Sequence, residues 1–308
     1  MELSIIIVSW NVADLLTACL HSIYSNPHPA QTEVIIIDSA SHDDTVERIR
    51  TSFPQVELLP QIENVGFTRG NNIGLARATG KFILLLNPDT EIVADALNGM
   101  ITFLDAHPQI GIVGPHTLNS DGVTHQSTRR RFPTFMTALF ESTWLQPFAP
   151  RALLDYFYVN DAPNDSRVEV DWVQGSALMT RREVFTQIGG LDEGFVMFSE
   201  ELDWCKRARN HGWKVMYLGD QRIIHHGGKS TDQVVAKRHI YFQESKLRYF
   251  RKHHGGIIAH SLRLFLLASY SIQLALEAAK GVVGHKPVLR HERVRQYWLV
   301  LRSGLKVT

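Results

Sequence analysis

The residue in this sequence best set up for chemistry is a carboxylate that follows a proline. In Asn87-Pro88-Asp89 the proline fixes its own φ and keeps Asn87 extended, which leaves Asp89 as a pre-set ligand for a hard divalent cation. The run His225-His226-Gly227-Gly228-Lys229-Ser230 offers nitrogen donors after an apolar strand. Adjacent residues on a strand point to opposite sides, so one of His225 and His226 is expected to join Asp89, with either open at this point. A second acidic cluster, Phe198-Ser199-Glu200-Glu201-Leu202-Asp203-Trp204, opens a helix whose later residues include Lys206, Arg207 and Arg209. Acid first and base last suits a helix dipole, which is one reading. The other takes Phe198 and Trp204 as walls of a partly desolvated pocket, where a carboxylate gains proton affinity and serves as a general base.

Three further groups follow apolar blocks. Ser9-Trp10-Asn11, Asp38-Ser39 and the Asn87 group each come directly after such a block, and in open parallel sheets ligands bind beyond the carboxyl ends of the strands. The plain alternatives are that Asn11 caps a helix and that Asp38 bonds loop amides. Gly66-Phe67-Thr68-Arg69-Gly70-Asn71-Asn72 reads as a loop entering a helix, with amides and Arg69 available to a phosphate or nucleoside, or else as a glycine-rich turn. Gly66, Gly70 and Gly74 are spaced four apart, so they do not form a GxGxxG turn. GxxxxGK[ST], GxSxG and HExxH are all absent, which removes the dehydrogenase, P-loop and common hydrolase readings.

The elements that must hold these groups alternate. Apolar blocks at residues 3–8, 33–37, 56–59, 82–86 and 110–113 are separated by helical patterns, the signature of a largely parallel sheet covered by helices. Asn11 with Asp14, and Ser41 with Asp44, are expected to cap the first two helices. Residues 116–166, with Pro133, Pro147, Pro150, Pro163 and the basic run Arg129-Arg130-Arg131, read as irregular. Regularity returns with a strand at 168–173, a short helix from Arg181, a helix from Glu200 to Gly212, and short strands at 214–218 and 222–224.

At 308 residues and 44% hydrophobic the chain can bury a substantial core, and Cys19 and Cys205 are too few for a disulfide framework or a cysteine zinc site. A net charge of +1 excludes a generally basic nucleic-acid binder but hides a division. Residues 1–234 carry 18 basic and 28 acidic side chains, whereas residues 235–308 carry 14 and 3. The first residues have no basic start of a secretory signal, so a cytoplasmic location is expected. The longest uncharged apolar stretch, 264–276, has 13 residues, short of a crossing of about 20.

Taken in order, these residues resemble the inverting glycosyltransferases of family 2 with a GT-A fold, in particular the bacterial rhamnosyltransferase-like branch. The carriers are Ile5-Ile6-Ile7-Val8-Ser9-Trp10-Asn11, Asp38-Ser39-Ala40-Ser41-His42-Asp43, Asn64-Val65 with the Gly66 loop, Asn87-Pro88-Asp89, Gly189-Gly190-Leu191-Asp192-Glu193, Glu200-Glu201 and His225-His226-Gly227-Gly228. The resemblance implies an α/β, Rossmann-like GT-A domain over residues 1–234 with a basic helical extension over 235–308. It implies nucleotide contacts from Ser9, Asn11, Asp38, Gly66, Arg69, Asn71 and Asn87. It further implies that Asn87-Pro88-Asp89 stands where the family has its Asp-x-Asp motif, here with asparagine first. Asp89 with His225 or His226 would then hold Mg²⁺ or Mn²⁺. Glu201 occupies the position of the family's catalytic Asp, with Glu200 as second choice, and Asp203 either positions the acceptor or pairs with Arg207. Trp172, Gly175 and Ser176 are assigned to the acceptor side.

The implied activity is a single displacement from a nucleoside-diphosphate sugar, dTDP-rhamnose or a UDP-sugar, to a hydroxyl of a glycan or polyprenyl-diphosphate-linked acceptor in cell-surface polysaccharide biosynthesis. A non-catalytic nucleotide-sugar-binding or scaffold protein of the same fold is the alternative, on the strength of the Asn87 and Glu201 departures. In the extension, Ser269, Gln273 and Glu277 recur at four-residue spacing on an otherwise apolar helix. That helix is expected either to pack on the catalytic domain or, with Arg248, Arg251, Lys252, Arg263 and the basic run 290–295, to lie at the cytoplasmic face of the membrane.

Overall fold

The computed structural model describes residues 1–141, 143–227, 235–284 and 286–308. Gly228, Lys229 and Ser230 of the histidine motif, and residue 234, where the catalytic domain is expected to end, lie outside the described residues. Strands β1 (Leu3–Ser9), β2 (Thr32–Asp38), β3 (Glu57–Pro60) and β4 (Phe82–Leu86) lie parallel in the spatial order β3-β2-β1-β4. Helices α1 (Ala13–Ser25), α2 (Thr45–Ser52) and α3 (Gly66–Arg77) connect them.

The unbroken apolar runs of these strands arise because both sheet faces are covered, and the period of two is visible in the packing. Ile5, Ile7, Ile36, Leu84 and Leu86 join one core with Leu16 and Leu20 of α1, while Ile6, Ile35, Ile37, Ile83 and Leu85 join the other with Leu75 of α3. Helix α3 lies so close to the sheet that a Cβ at Gly74 would stand 2.4 Å from Ile6 Cγ2.

The remaining sheet differs from a simple parallel order. After β4 come β5 (Thr90–Val93), α4 (Ala96–Ala106), β6 (Ile110–Leu118) and β7 (Arg129–Arg130). Residues 116–166, read as irregular, also hold α5 (Phe135–Phe140), a 3-10 turn (Gln146–Phe148) and α6 (Arg151–Tyr158). Their prolines punctuate elements instead of preventing them. Pro133 precedes Thr134, whose side chain caps α5 by accepting from Thr137 N, and Pro150 stands just before α6.

Strands β8 (Arg167–Val170), β9 (Trp172–Val173) and β10 (Ala177–Arg181) follow, then α7 (Arg182–Ile188), α8 (Glu200–Asn210) and β11 (Lys214–His225). Strand β10 inserts antiparallel between β4 and β6. The two short strands expected at 214–218 and 222–224 are one strand, β11, with a register shift between Leu218 and Arg222. Its far end pairs antiparallel with β5, which sets His225 opposite Thr90 and so beside Asp89.

The described chain divides into two compact units, Met1–Phe132 with Tyr158–Glu193 and Glu200–Ser230, and Pro133–Phe157 with Gly194–Ser199 and Thr231–Thr308. The first contains the sheet. The second contains α9 (Val235–His254), α10 (Gly256–Val282) and α11 (Pro287–Ser303). Within the second unit, Lys246 Nζ of α9 meets Glu141 Oε2 at 3.3 Å, Ser245 Oγ donates to Met197 O at 2.7 Å, and Phe242 packs edge-on to Phe198.

Candidate active site

Ser9 and Asp38 end two paired strands and are direct neighbours in register. Both are buried, and neither Ser9 Oγ nor Asp38 Oδ1 has a hydrogen-bond partner among the described residues. Buried polar atoms are nearly always paired, so two orphans side by side at the carboxyl edge of a parallel sheet mark a place for a polar ligand. The other oxygen, Asp38 Oδ2, accepts from Ser41 N at 3.0 Å.

The caps expected at Asn11 and Ser41 are not formed. Helix α1 starts at Ala13 and α2 at Thr45, each without a side-chain cap from its own flanking residue. Instead, the loops brace each other. Asn11, at φ 52°, accepts from His42 N through Oδ1 at 2.8 Å and donates from its own N to Ser41 Oγ, while Asp43 Oδ2 accepts from Ala13 N. A cap supplied from another loop leaves no local spacing to read.

Ser39 Oγ continues the edge, donating to Asn64 Oδ1 and accepting from Val65 N at 2.8 Å and Gly66 N at 3.3 Å. Gly66 has φ 73°, which a side chain would strain, and opens α3. Asn71 is buried and donates to Phe67 O, and the exposed Arg69 lies 3.4 Å from Glu63.

The second cluster centres on Asp89. Asp89 Oδ1 is 3.2 Å from His225 Nε2, and Asn87 Nδ2 is 3.4 Å from the same nitrogen. His225 Nδ1 faces Gln126 Oε1 at 3.0 Å, while the Gln126 amide nitrogen donates to His225 O and to Asn119 Oδ1. With its NH₂ so committed, Gln126 offers Nδ1 only an acceptor, which assigns the neutral ring's proton to Nδ1 and turns the Nε2 lone pair toward Asp89. A lone pair facing a carboxylate oxygen is a donor set that a divalent cation fits.

His226 goes elsewhere. Its Nε2 meets Glu91 Oε1 at 2.6 Å and its Nδ1 meets Ser120 Oγ at 2.9 Å. Among the described residues no cluster of three His, Cys, Asp or Glu side chains converges, so Asp89 and His225, flanked by Asn87, form a partial shell. Cys19 lies below Asn87 O and Thr90, and burial pushes its thiol up to about 12, keeping it neutral.

The third cluster is the start of α8. Phe198 and Ser199, both in the left-handed region at φ 69° and 64°, lead into it. Burial pushes the carboxyls of Glu200 and Glu201 above the usual range, with Glu201 adding its charge to the effect at Glu200. Glu201 Oε1 accepts from Gly175 N at 3.4 Å. Its Oε2, like Glu200 Oε2, is buried and has no hydrogen-bond partner among the described residues. Arg130, whose guanidinium lies over the rings of Tyr158 and Trp172, opposes the rise at Glu201.

Asp203 is fully buried against Arg207, Oδ2 to Nε at 2.8 Å, and Arg207 also donates to Ile188 O and Gly190 O. That ties α8 to the Gly189-Gly190 turn. Trp204, read as a pocket wall, is instead a fully buried core residue donating to Gly189 O. Trp172 donates to Arg131 O.

Two consecutive residues join the second and third clusters. Gly175 N reaches Glu201, and Ser176 O accepts from Asn87 N at 2.9 Å. Gln126 and Arg130 were not singled out by sequence reasoning as site residues. Gln126 lies in a stretch with no periodic signal, and Arg130 sits inside a basic run of a segment read as irregular.

The family model described as Glycosyl transferase family 2 matches residues 4–189. The N-acetylglucosaminyl-diphospho-decaprenol L-rhamnosyltransferase of Mycobacterium tuberculosis is 26% identical over 278 residues, 87% of this chain and 88% of that protein. Rhamnosyltransferase WbbL of Escherichia coli is 24% identical over 61% of this chain and 70% of its own length. Among solved structures, a mannosyltransferase from Pyrobaculum calidifontis in complex with GDP-Man and Mn²⁺ aligns with a TM-score of 0.60 at 18% identity, covering 99% of this chain and 84% of that one.

Proposed function

The chain belongs to glycosyl transferase family 2, and on that premise we propose that it transfers a sugar with inversion from a nucleoside-diphosphate sugar to a hydroxyl of a lipid-linked or glycan acceptor. Rhamnose is the leading donor sugar, supported by the two rhamnosyltransferase relatives, one of which is named for a diphospho-decaprenol acceptor. The product belongs to cell-surface polysaccharide synthesis. Residues 1–234 carry the chemistry and 235–308 the approach to the membrane's cytoplasmic face.

In this reading Asp38 Oδ1 and Ser9 Oγ take hydrogen bonds from the base or ribose, since both are buried and still want partners. Asn11, Gly66, Arg69, Asn71 and Asn87 line the same edge. Asp89 and His225 hold the cation, and the Mn²⁺ in the Pyrobaculum structure supports a divalent ion here. When bound, that ion neutralises charge developing on the departing diphosphate. Gln126 keeps the His225 ring oriented for that task.

Glu201 is the general base that takes the acceptor hydroxyl's proton as its oxygen attacks the anomeric carbon. Glu200 supports it by holding a proton more tightly than an ordinary carboxyl, which limits repulsion between the adjacent acids. Gly175 orients Glu201, and Trp172 and Ser176 stand on the acceptor side with it. Asp203 is a positioning residue for α8 through Arg207.

The observation that carries this reading is Glu201: a buried carboxylate of raised proton affinity with one oxygen unpartnered, linked through Gly175-Ser176 to Asn87. The test is sugar transfer from dTDP-rhamnose, UDP- and GDP-sugars to a polyprenyl-diphosphate-linked acceptor with and without Mn²⁺, using wild type, Glu201→Gln and Asp89→Ala. Unchanged turnover in both variants would refute the assignment.

A further inference from the structure

Helix α10 buries Ala259, Leu262 and Leu266 in its first half, but its second half is amphipathic in the opposite sense from a helix on the outside of a water-soluble domain. Its polar stripe faces inward. Ser269 and Glu277 are buried at 4% and 7% exposure, and Gln273 reaches back to Ser269. Glu277 pairs with Arg290 of α11, with Lys280 at 3.2 Å and with Arg293 at 3.6 Å. Tyr270, also inward, accepts from Gln243 of α9.

From residue 264 onward the outward face is largely apolar, while His260 and Ser261 are exposed before it. Ile257 is 86% exposed, Leu264 65%, Ile272 47%, Leu276 52% and Val282 89%. Ala268, Ser271, Ala275 and Ala279 complete the exposed positions between them, and no charged side chain is exposed from residue 264 to residue 279. Leu264, Ala268, Ile272, Ala275 and Ala279 keep helical spacing on one side, so the stripe runs from residue 264 to residue 279 of the 27-residue helix, about 24 Å at 1.5 Å per residue. Single exposed apolar residues are ordinary, but a continuous stripe of this length is not.

Cations flank it at both ends. Arg251 and Lys252 are exposed just before α10, and Lys280, Lys286, Arg293 and Arg295 are exposed after its apolar centre. The extension from residue 235 has 14 basic and 3 acidic residues, and Glu277 is already held in the ion-pair cluster. A second copy of this chain would therefore bring like charge to the same face. An anionic lipid surface brings the complement to both features, apolar depth for the stripe and negative headgroups for its ends.

By length and mean hydropathy, 1.3 over an 18-residue window, α10 also meets the requirement for a crossing, which the 13-residue apolar run in the sequence did not suggest. Its inward face decides between the two. A crossing would carry the Glu277, Arg290 and Arg293 cluster into hydrocarbon, whereas a helix lying in the interface keeps that cluster within the protein.

We infer that the exposed stripe of α10 lies in the headgroup region of an anionic bilayer, with the flanking basic residues on the phosphates. The purpose of that contact, bringing the transferase to a lipid-linked acceptor, rests on the proposed function, although the contact itself is measured independently of it. The test uses the full chain in co-sedimentation with vesicles of phosphatidylcholine alone or of an equimolar mixture with phosphatidylglycerol. The wild type is expected to sediment with the mixed vesicles and to be released by salt. The Ile272→Asp/Leu276→Asp variant should lose binding by about a hundredfold, and Lys286→Gln/Arg295→Gln by about tenfold, with melting curves like the wild type's. Donor turnover with a soluble acceptor analogue should be unchanged in both. Equal sedimentation of wild type and the aspartate variant overturns the inference, as does a dimer in solution that the aspartate variant dissolves. If lipid binding follows the expected pattern but no donor is turned over, the functional reading fails alone.

Discussion

Gly175 donates its backbone N–H to Glu201 Oε1 at 3.4 Å, which leaves Oε2 as the buried oxygen free to receive a proton. Glu201→Gln keeps this hydrogen bond and removes the basicity. Turnover should fall by about 10²–10⁴-fold with nucleotide binding retained, as read by initial rates beside titration calorimetry. Because burial raises the carboxyl's proton affinity and the base acts deprotonated, activity is lost as pH falls through the raised value. The acidic limb of kcat/KM should therefore lie above the ordinary carboxylate range. A limb near pH 4, or none, counts against Glu201.

Glu200 makes a prediction about stability. Its folded-state proton affinity is raised, so the stability linked to the bound proton is present below the unfolded value of about 4.3 and is lost as pH rises through the folded one. Glu200→Gln should thus melt higher than wild type at pH 7 and show little difference at pH 4. Equal melting at both values would mean that the buried acid carries no such penalty.

Asp38→Asn retains an oxygen for Ser41 N and replaces the unpartnered one, while Ser9→Ala deletes an unpartnered hydroxyl. Neither change breaks a bond to a described residue, so apo stability should stay within about 0.5 kcal/mol. Affinity for a nucleoside diphosphate should fall by about tenfold to a hundredfold for Asp38→Asn. Loss of stability without loss of affinity would assign both residues to the fold.

His225 and His226 should separate cleanly. His225→Ala is expected to weaken Mn²⁺ binding in the presence of nucleotide, read by electron paramagnetic resonance of free Mn²⁺, and Gln126→Ala to weaken it by about 10–100-fold. His226→Ala, which removes a partner of Glu91 and Ser120, should leave it unchanged. The reverse order would move the cation to the other imidazole.

Gly74→Ala tests how closely α3 approaches the sheet. The new Cβ would meet Ile6 Cγ2 at 2.4 Å and Ile37 Cδ1 at 3.0 Å, both in the core. Chemical denaturation should show a loss of about 1–3 kcal/mol despite alanine's better helix propensity. A gain would mean that the helix lifts away freely.

The parallel half of the sheet was legible because β1, β2 and β4 are apolar runs bounded by polar residues, and a place three residues beyond such a run marked Asp89 as a candidate. The other half was not. Ala177–Arg181 reads locally as an ordinary stretch before a helix and becomes a central strand only through pairing with β4 and β6. Thr90–Val93 is too short to signal itself, yet its pairing with β11 is what brings His225 to Asp89. The capping error at Asn11 and Ser41 has the same origin, since donor and acceptor lie about thirty residues apart. The acidic cluster at the start of α8 stood out by its aromatic surroundings, although Trp204, one of the two aromatics used, belongs to the core, and the choice of Glu201 within it came from the family resemblance.

The second unit takes its residues from three places in the chain, the last of them C-terminal. By the time a ribosome has made His225, every acid and imidazole assigned to transfer already exists. The segment Gly194–Ser199 that leads into Glu200 still lacks Phe242 and Ser245, its partners on α9. A product terminated before α9 contains every residue of Gly194–Ser199 and neither of these two partners.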